Sequence, residues 1–193
     1  MSRLHLSLLC LLTFITAACE RPSEYEVMLA RETARPDTIQ TLFFNYELGM
    51  SRQAFYDSSW ALNRQGLVTH GPNNMNVQYD LTDQMPYEAT MLYYPDFKDD
   101  QVVQMRISIS YDAWAPWNRH LWSDSLIIDV QDLMEAWYGE GFLTRQVSLP
   151  LIGPTNEFVK IDANRQITIQ RNSDSEVLVN ITDLRALPPE DNE

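Results

Sequence analysis

The chain has 193 residues, with 14 basic against 27 acidic side chains and a formal net charge of −13. Such a field disfavours phosphate backbones and anionic head groups, whose recognition relies on Lys and Arg, so no nucleic-acid partner is expected. With 45% hydrophobic and 11% aromatic residues, the composition is that of a globular body and not of a disordered one.

The first twenty residues read "MSRLHLSLLCLLTFITAACE". Arg3 and the chain's amine form a small positive start, and Leu4 to Ile15 is an apolar run of roughly a dozen residues. A helix needs about 20 apolar residues to cross hydrocarbon, so the run is too short for a permanent span and fits a secretory leader. Ala17 and Ala18 are the small residues that let a leader peptidase reach the backbone before Cys19. The pattern Thr16-Ala17-Ala18-Cys19 resembles the lipobox of bacterial lipoproteins, with Thr16 where an aliphatic residue is usual. The resemblance implies cleavage after residue 18, a thioether-linked diacylglycerol on Cys19 and acylation of the new amine. Two or three acyl chains hold firmly to a bilayer where one does not. In that family Asp after the cysteine is associated with the inner membrane, so Glu20 implies the outer membrane. Loss of residues 1–18 removes Cys10 and Arg3 and no acid, leaving about 175 residues with 13 basic and 27 acidic side chains. No free thiol then remains for a disulfide, a metal or a nucleophile.

Residues 19–37 are tether-like, with Pro22 and Pro36 flanking the charged stretch "SEYEVMLARETAR", and a mobile spacer is expected. Order begins in 38–112. Leu42, Phe44, Tyr46 and Leu48 alternate as in a strand. A helix follows, with Ser51 as N-cap and Gly66 at the left-handed position after its end, and with Phe55, Ser59 and Leu62 facing inward beside Trp60. Three strands come next, in "NVQYDL", "EATMLYYP" and "QVVQMRISISYD". The last sets Val103, Met105, Ile107, Ile109 and Tyr111 against Gln104, Arg106, Ser108 and Ser110, which predicts an antiparallel sheet with one wet face.

Residues 113–122 form an aromatic linker, and the order then repeats over 123–186. A second helix, capped by Ser123 and stopped at Gly139, carries a core stripe of Leu126, Val130, Leu133 and Trp137. Strands follow in "FLTRQVSL", "EFVKID", "RQITIQR" and "EVLVNITDL", with a tight turn at Ala163-Asn164, and residues 187–193 read as a loose tail. The expected fold is α+β: two halves, each a helix plus an antiparallel meander, with the helices on one face of the sheet.

"ELGMSRQAF", Glu47 to Phe55, resembles the Gly-Met-Ser/Thr-x-x-x-apolar signature at the first helix of BamE/SmpA-like lipoproteins, whose wider group shares the fold of the β-lactamase-inhibitor protein. The likeness reaches from Tyr46 to Asp112, with one helix here where the family has two. It implies a helix-on-sheet domain in a small envelope protein that binds or helps to assemble partners.

Catalytic signals are sparse. His70 and His120 show no HxxxH, HExxH or GxSxG spacing, and six glycines leave no phosphate loop. Asp96, Asp99 and Asp100, or Asp174 and Glu176, lack the calcium ladder and read as solvated turns. Neither enzymatic activity nor a cofactor or metal is expected. The distinctive feature is "YDAWAPWNRHLW": Tyr111, Trp114, Trp117, Arg119 and Trp122 are residue types that dominate binding hot spots, though rings in such a linker also serve to close a core. The expected protein is held to the membrane by the lipid on Cys19, with the wet sheet face or the linker contacting an envelope protein. The alternative is a carbohydrate or small ligand at the tryptophans.

Overall fold

Residues 21–149 and 153–189 are described by the computed structural model; the expected leader, Cys19, Glu20 and most of the expected loose tail lie outside them. Three helices, α1 (Glu24–Thr33), α2 (Arg52–Arg64) and α3 (Ser123–Tyr138), accompany one antiparallel sheet. Its strands are β1 (Thr69–His70), β2 (Val77–Asp80), β3 (Ala89–Lys98), β4 (Gln101–Tyr111), β5 (Leu143–Leu149), β6 (Gly153–Asp162), β7 (Arg165–Arg171) and β8 (Val177–Asp183). They lie in the order β1-β2-β3-β4-β8-β7-β6-β5, so β4 and β8 meet in the middle. The fold is α+β, as the order of periodicities predicts.

The period-2 pattern explains the layering. Register puts Tyr93 opposite Ile107, Ile107 opposite Val179 and Val179 opposite Ile169, and these four are buried in the main core beneath Leu126, Val130 and Leu133 of α3. The other face passes from Arg106 through Asn180 and Thr168 to Val159. Its centre is polar and partly exposed, as expected of the wet face, while its β5–β6 end is covered.

What covers that end is the segment expected to be a spacer. Ser23 and Glu26 form a capping box, and α1 lays Met28 on Val159, Ile161 and Leu184. Arg145 stacks on Tyr25 at 4.0 Å and pairs with the buried Glu157 at 2.5 Å. Glu32, itself buried, accepts from Arg35 at 2.6 Å, Arg31 at 2.9 Å and the Ala163 N–H at 3.1 Å. Downstream, the Ile39 N–H donates to Asn164, and Arg165 and Arg185 hold the carbonyls of Thr41 and Asp37. Residues 24–41 are therefore part of the body. Because α1 lies on the face opposite α3, the expectation of helices on one face is also corrected.

Two further expectations change. The alternation from Leu42 to Leu48 belongs to a reversal and not to a strand: Leu42 N–H donates to the Tyr46 carbonyl, Thr41 bridges Glu47, and Phe44 adopts φ 52° at the tip. Leu42, Phe43, Tyr46 and Leu48 are buried while Phe44 stays exposed, so burial does not follow the alternation of the sequence. Ser123 does not cap α3 with its side chain; it is fully buried and accepts from Arg171 at 2.9 Å.

The helix ending written around Gly66 forms as expected. The Gly66 N–H reaches the Asn63 carbonyl and the Leu67 N–H reaches Leu62, with Gly66 at φ 73°. That is the Schellman arrangement, which suits a residue without Cβ. It directs the chain from α2 back along the sheet edge into β1.

Candidate functional site

Helix α2 has two working faces. Phe55, Ser59 and Leu62 recur at helical spacing toward the core, where Phe55 meets the Tyr46 ring at 5.0 Å and Ser59 hydrogen-bonds the Tyr46 hydroxyl. One position further round, Tyr56, Trp60 and Asn63 recur at the same spacing and face outward. The chain reversal at Gly66 brings β1 and the loop before β2 across from them. A cleft of about 260 Å³ lies between, walled by Tyr56, Trp60 and Asn63 on one side and by His70, Asn74 and Asn76 on the other.

The walls are fixed by local bonds. Tyr56 and Tyr94 share a hydroxyl–hydroxyl bond of 2.7 Å, and Asn63 donates to the Val68 carbonyl at 2.9 Å. Trp60 stands edge-on to His70 at 5.8 Å. The far wall begins at Gly71, where a Cβ would meet the Asn76 carbonyl at 3.1 Å and Leu92 at 3.2 Å. Asn73 and Asn74 follow in the left-handed region at φ 56° and 55°. Consecutive non-glycine residues in that region store strain, and Asn is among the few that tolerate it. Burial, followed by the Tyr56 hydroxyl, raises the Tyr94 phenol above its usual range, so it stays neutral.

At its lower rim the cleft opens onto the wet sheet face. A shallower basin of about 670 Å³ shares Tyr56, Asn74, Met75, Asn76 and Tyr94 with it, and extends over Leu92, Ser108 and Leu178 to the ion pair of Arg106 and Asp96, 2.6 Å long. Met75 and Trp60 at the rim are 69% and 53% exposed, unusual for such large apolar side chains.

The expected binding residues are distributed differently. Tyr111 is buried, its hydroxyl donates to Asp129, and its phenol is pushed up by burial first and by that carboxylate second. Trp114 and Trp122 face each other at 6.5 Å, and Arg119 lies 3.8 Å over the Trp122 ring. Both indole N–H groups are buried without a hydrogen-bond partner among the described residues. Trp117 stands apart, 81% exposed. The structure thus brings Trp114, Arg119 and Trp122 together, sends Tyr111 into the core and leaves Trp117 outside. Trp114→Ala should lower the melting temperature by several degrees, on the order of 1–3 kcal/mol for a partly buried ring, while Trp117→Ala should leave it unchanged. Thermal unfolding followed by circular dichroism distinguishes the two.

His70 lines the α2–β1 cleft, whereas His120 lies in the linker with its ring 5.5 Å from Tyr87. Of the acidic turns, Asp96 pairs with Arg106, Asp100 with Arg52 and Asp174 with Arg171. No group of three or more metal-ligating side chains occurs among the described residues, and none of the described helices is long and apolar enough to cross a membrane.

The cleft was the part hidden from sequence reasoning. Its signals were the second aromatic stripe of α2 and the run "GPNNMN", but only the fold places them opposite one another. No family model, curated protein or solved structure matches the chain.

Proposed function

We propose that this chain is a lipid-anchored bacterial envelope protein, at the outer membrane, acting as a non-catalytic binding or assembly accessory. The observation that carries the reading is the closeness of the lipobox cysteine to a firmly docked body. Ser23, the cap of α1, stands four residues after Cys19. Four residues reach about 14 Å at full stretch, so a lipid on Cys19 holds the α1-covered end of the sheet next to the bilayer. With 13 basic against 27 acidic side chains after loss of residues 1–18, a net charge of −14 keeps such a body soluble there without a second, electrostatic attachment.

In this reading the body is built as two halves, α2 with β1–β4 and α3 with β5–β8, joined edge to edge through β4 and β8. The packing of α2 with β1–β4 supports a likeness of the first half to the BamE/SmpA-like unit, with α3 and β5–β8 as a second half of the same element order. The binding surface is the α2–β1 cleft together with the basin on the wet sheet face, which the short tether leaves open to a partner in the envelope.

Fractionation of bacteria expressing the full chain tests the anchor. Cys19→Ala should move the protein from the membrane pellet to the soluble fraction with an unchanged melting temperature. Continued sedimentation of the variant with membranes would overturn the reading.

A further inference from the structure

We propose that the α2–β1 cleft is a saccharide site, taking one neutral sugar ring of an envelope glycan; this rests on the reading of the chain as an envelope binding module. The chemistry of the lining favours that occupant. Two amphipathic rings, Trp60 and Tyr56, stand at the mouth, and a sugar offers such rings an apolar C–H face. Apart from His70, the rest of the lining is amide, hydroxyl or apolar, with no carboxylate, Lys or Arg to attract an ionised group.

The alternative occupant is an apolar or aromatic side chain of a partner protein, and the amides decide between the two. Among the described residues the side chains of Asn74 and Asn76 carry no hydrogen bond. The Asn63 amide nitrogen is already given to Val68, leaving its oxygen to accept. An apolar plug would desolvate these groups and offer nothing in return, which costs free energy for every amide left unpaired. Sugar hydroxyls both donate and accept, so they satisfy amide oxygen and nitrogen alike. The loop that presents the amides is held in a strained form at Asn73 and Asn74, and a Cβ at Gly71 would press on Asn76 and Leu92 at 3.1–3.2 Å, as befits groups positioned in advance.

The size agrees. A volume of about 260 Å³ is below the range for drug-sized ligands, 300–1,000 Å³, and suits a single ring. The neighbouring basin carries the rest of the glycan: the charged side chains of Asp96, Arg106 and Glu176 and the Ser108 hydroxyl lie beyond the shared Tyr56–Met75 rim. A glycan strand would thus enter by its ring at Trp60 and continue over the sheet.

The test is calorimetric titration of the detergent-solubilised full chain with N-acetylchitotriose and maltotriose, with tryptophan fluorescence read in parallel. Binding of at least one saccharide is expected. Trp60→Ala should weaken it at least tenfold, Trp60→Phe should restore part of the loss, Asn76→Ala should weaken it severalfold, and Trp117→Ala should have no effect. Saturation-transfer NMR of the unaltered protein reports the same contact without relying on any variant. The inference is overturned if neither saccharide binds, if binding survives Trp60→Ala, or if an aromatic tripeptide such as Gly-Trp-Gly binds at Trp60 while both sugars fail. That last result would leave the envelope-module reading standing, since Cys19→Ala fractionation tests it separately.

Discussion

Phe55→Ala should lower the stability of the body by about 3–5 kcal/mol, the usual cost of removing a fully buried phenyl ring from a close-packed core. Phe55 has no exposed surface and lies among Tyr46 at 5.0 Å, Tyr94 at 5.8 Å and Phe97 at 6.1 Å. Those rings cannot close over the space, because Tyr46 is tied through its hydroxyl to Ser59 and Tyr93 and the Tyr94 hydroxyl is bonded to Tyr56. The effect should extend to the cleft. A helix of 13 residues is marginal by itself, so α2 depends on Phe55 and Leu62 to stay on the sheet. Urea unfolding of the variant should show a lower midpoint, and amides of α2 should exchange faster than those of β4 and β8. A loss below about 1 kcal/mol would mean that α2 is held by something other than this ring.

Glu32→Ala should cost about 1–3 kcal/mol, chiefly because it leaves the buried Ala163 N–H without an acceptor. Arg31 and Arg35 are substantially exposed and can return to water, so their share is small. The same carboxylate gives the fold an acid limit. Burial pushes its pKa up, but hydrogen bonds from Arg35, the Ala163 N–H and Arg31 outweigh that and hold it at about 2, below its ordinary value of 4.5. A group with a depressed folded value contributes fully above its unfolded value and loses that contribution as pH falls through the folded one. Stability should therefore decline from about pH 4.5 toward pH 2, and Glu32→Gln should flatten that portion of the profile. Denaturant unfolding at stepped pH measures both. An unaltered acid limb in the Gln variant would remove Glu32 from the account.

Much of the sheet was legible because its strands obey a local rule. From β2 to β8, alternating apolar residues mark one buried face, and hairpin partners follow closely in the chain. The N-terminus of α2 and its Gly66 ending were equally local, each written in a few adjacent residues. Helix α1 was not, although Ser23 and Glu26 spell a capping box. Its inward stripe, Tyr25, Met28, Leu29 and Glu32, contains a carboxylate whose burial makes sense only beside Ala163, 131 positions away. Ser123 failed as a cap for a similar reason: Arg171 claims its hydroxyl from 48 positions away.

The candidate site was the least legible part. Aromatic density drew attention to residues 111–122, yet density does not report direction, and the fold turns Tyr111 inward and sets Trp114 against Trp122. The cleft instead uses two aromatic residues on α2 and a glycine-asparagine loop, neither conspicuous alone. Their juxtaposition depends on the reversal at Gly66 and on the pairing of β1 with β2.

Mass spectrometry of the N-terminal peptide from protein purified out of native membranes tests the account most directly. A peptide that begins at Cys19 and carries the added mass of a diacylglyceryl group and an N-acyl chain is the predicted result. A peptide with an unmodified Cys19 thiol, or with residue 18 still joined to it, would contradict the anchor and the membrane-side placement of the body that follows from it.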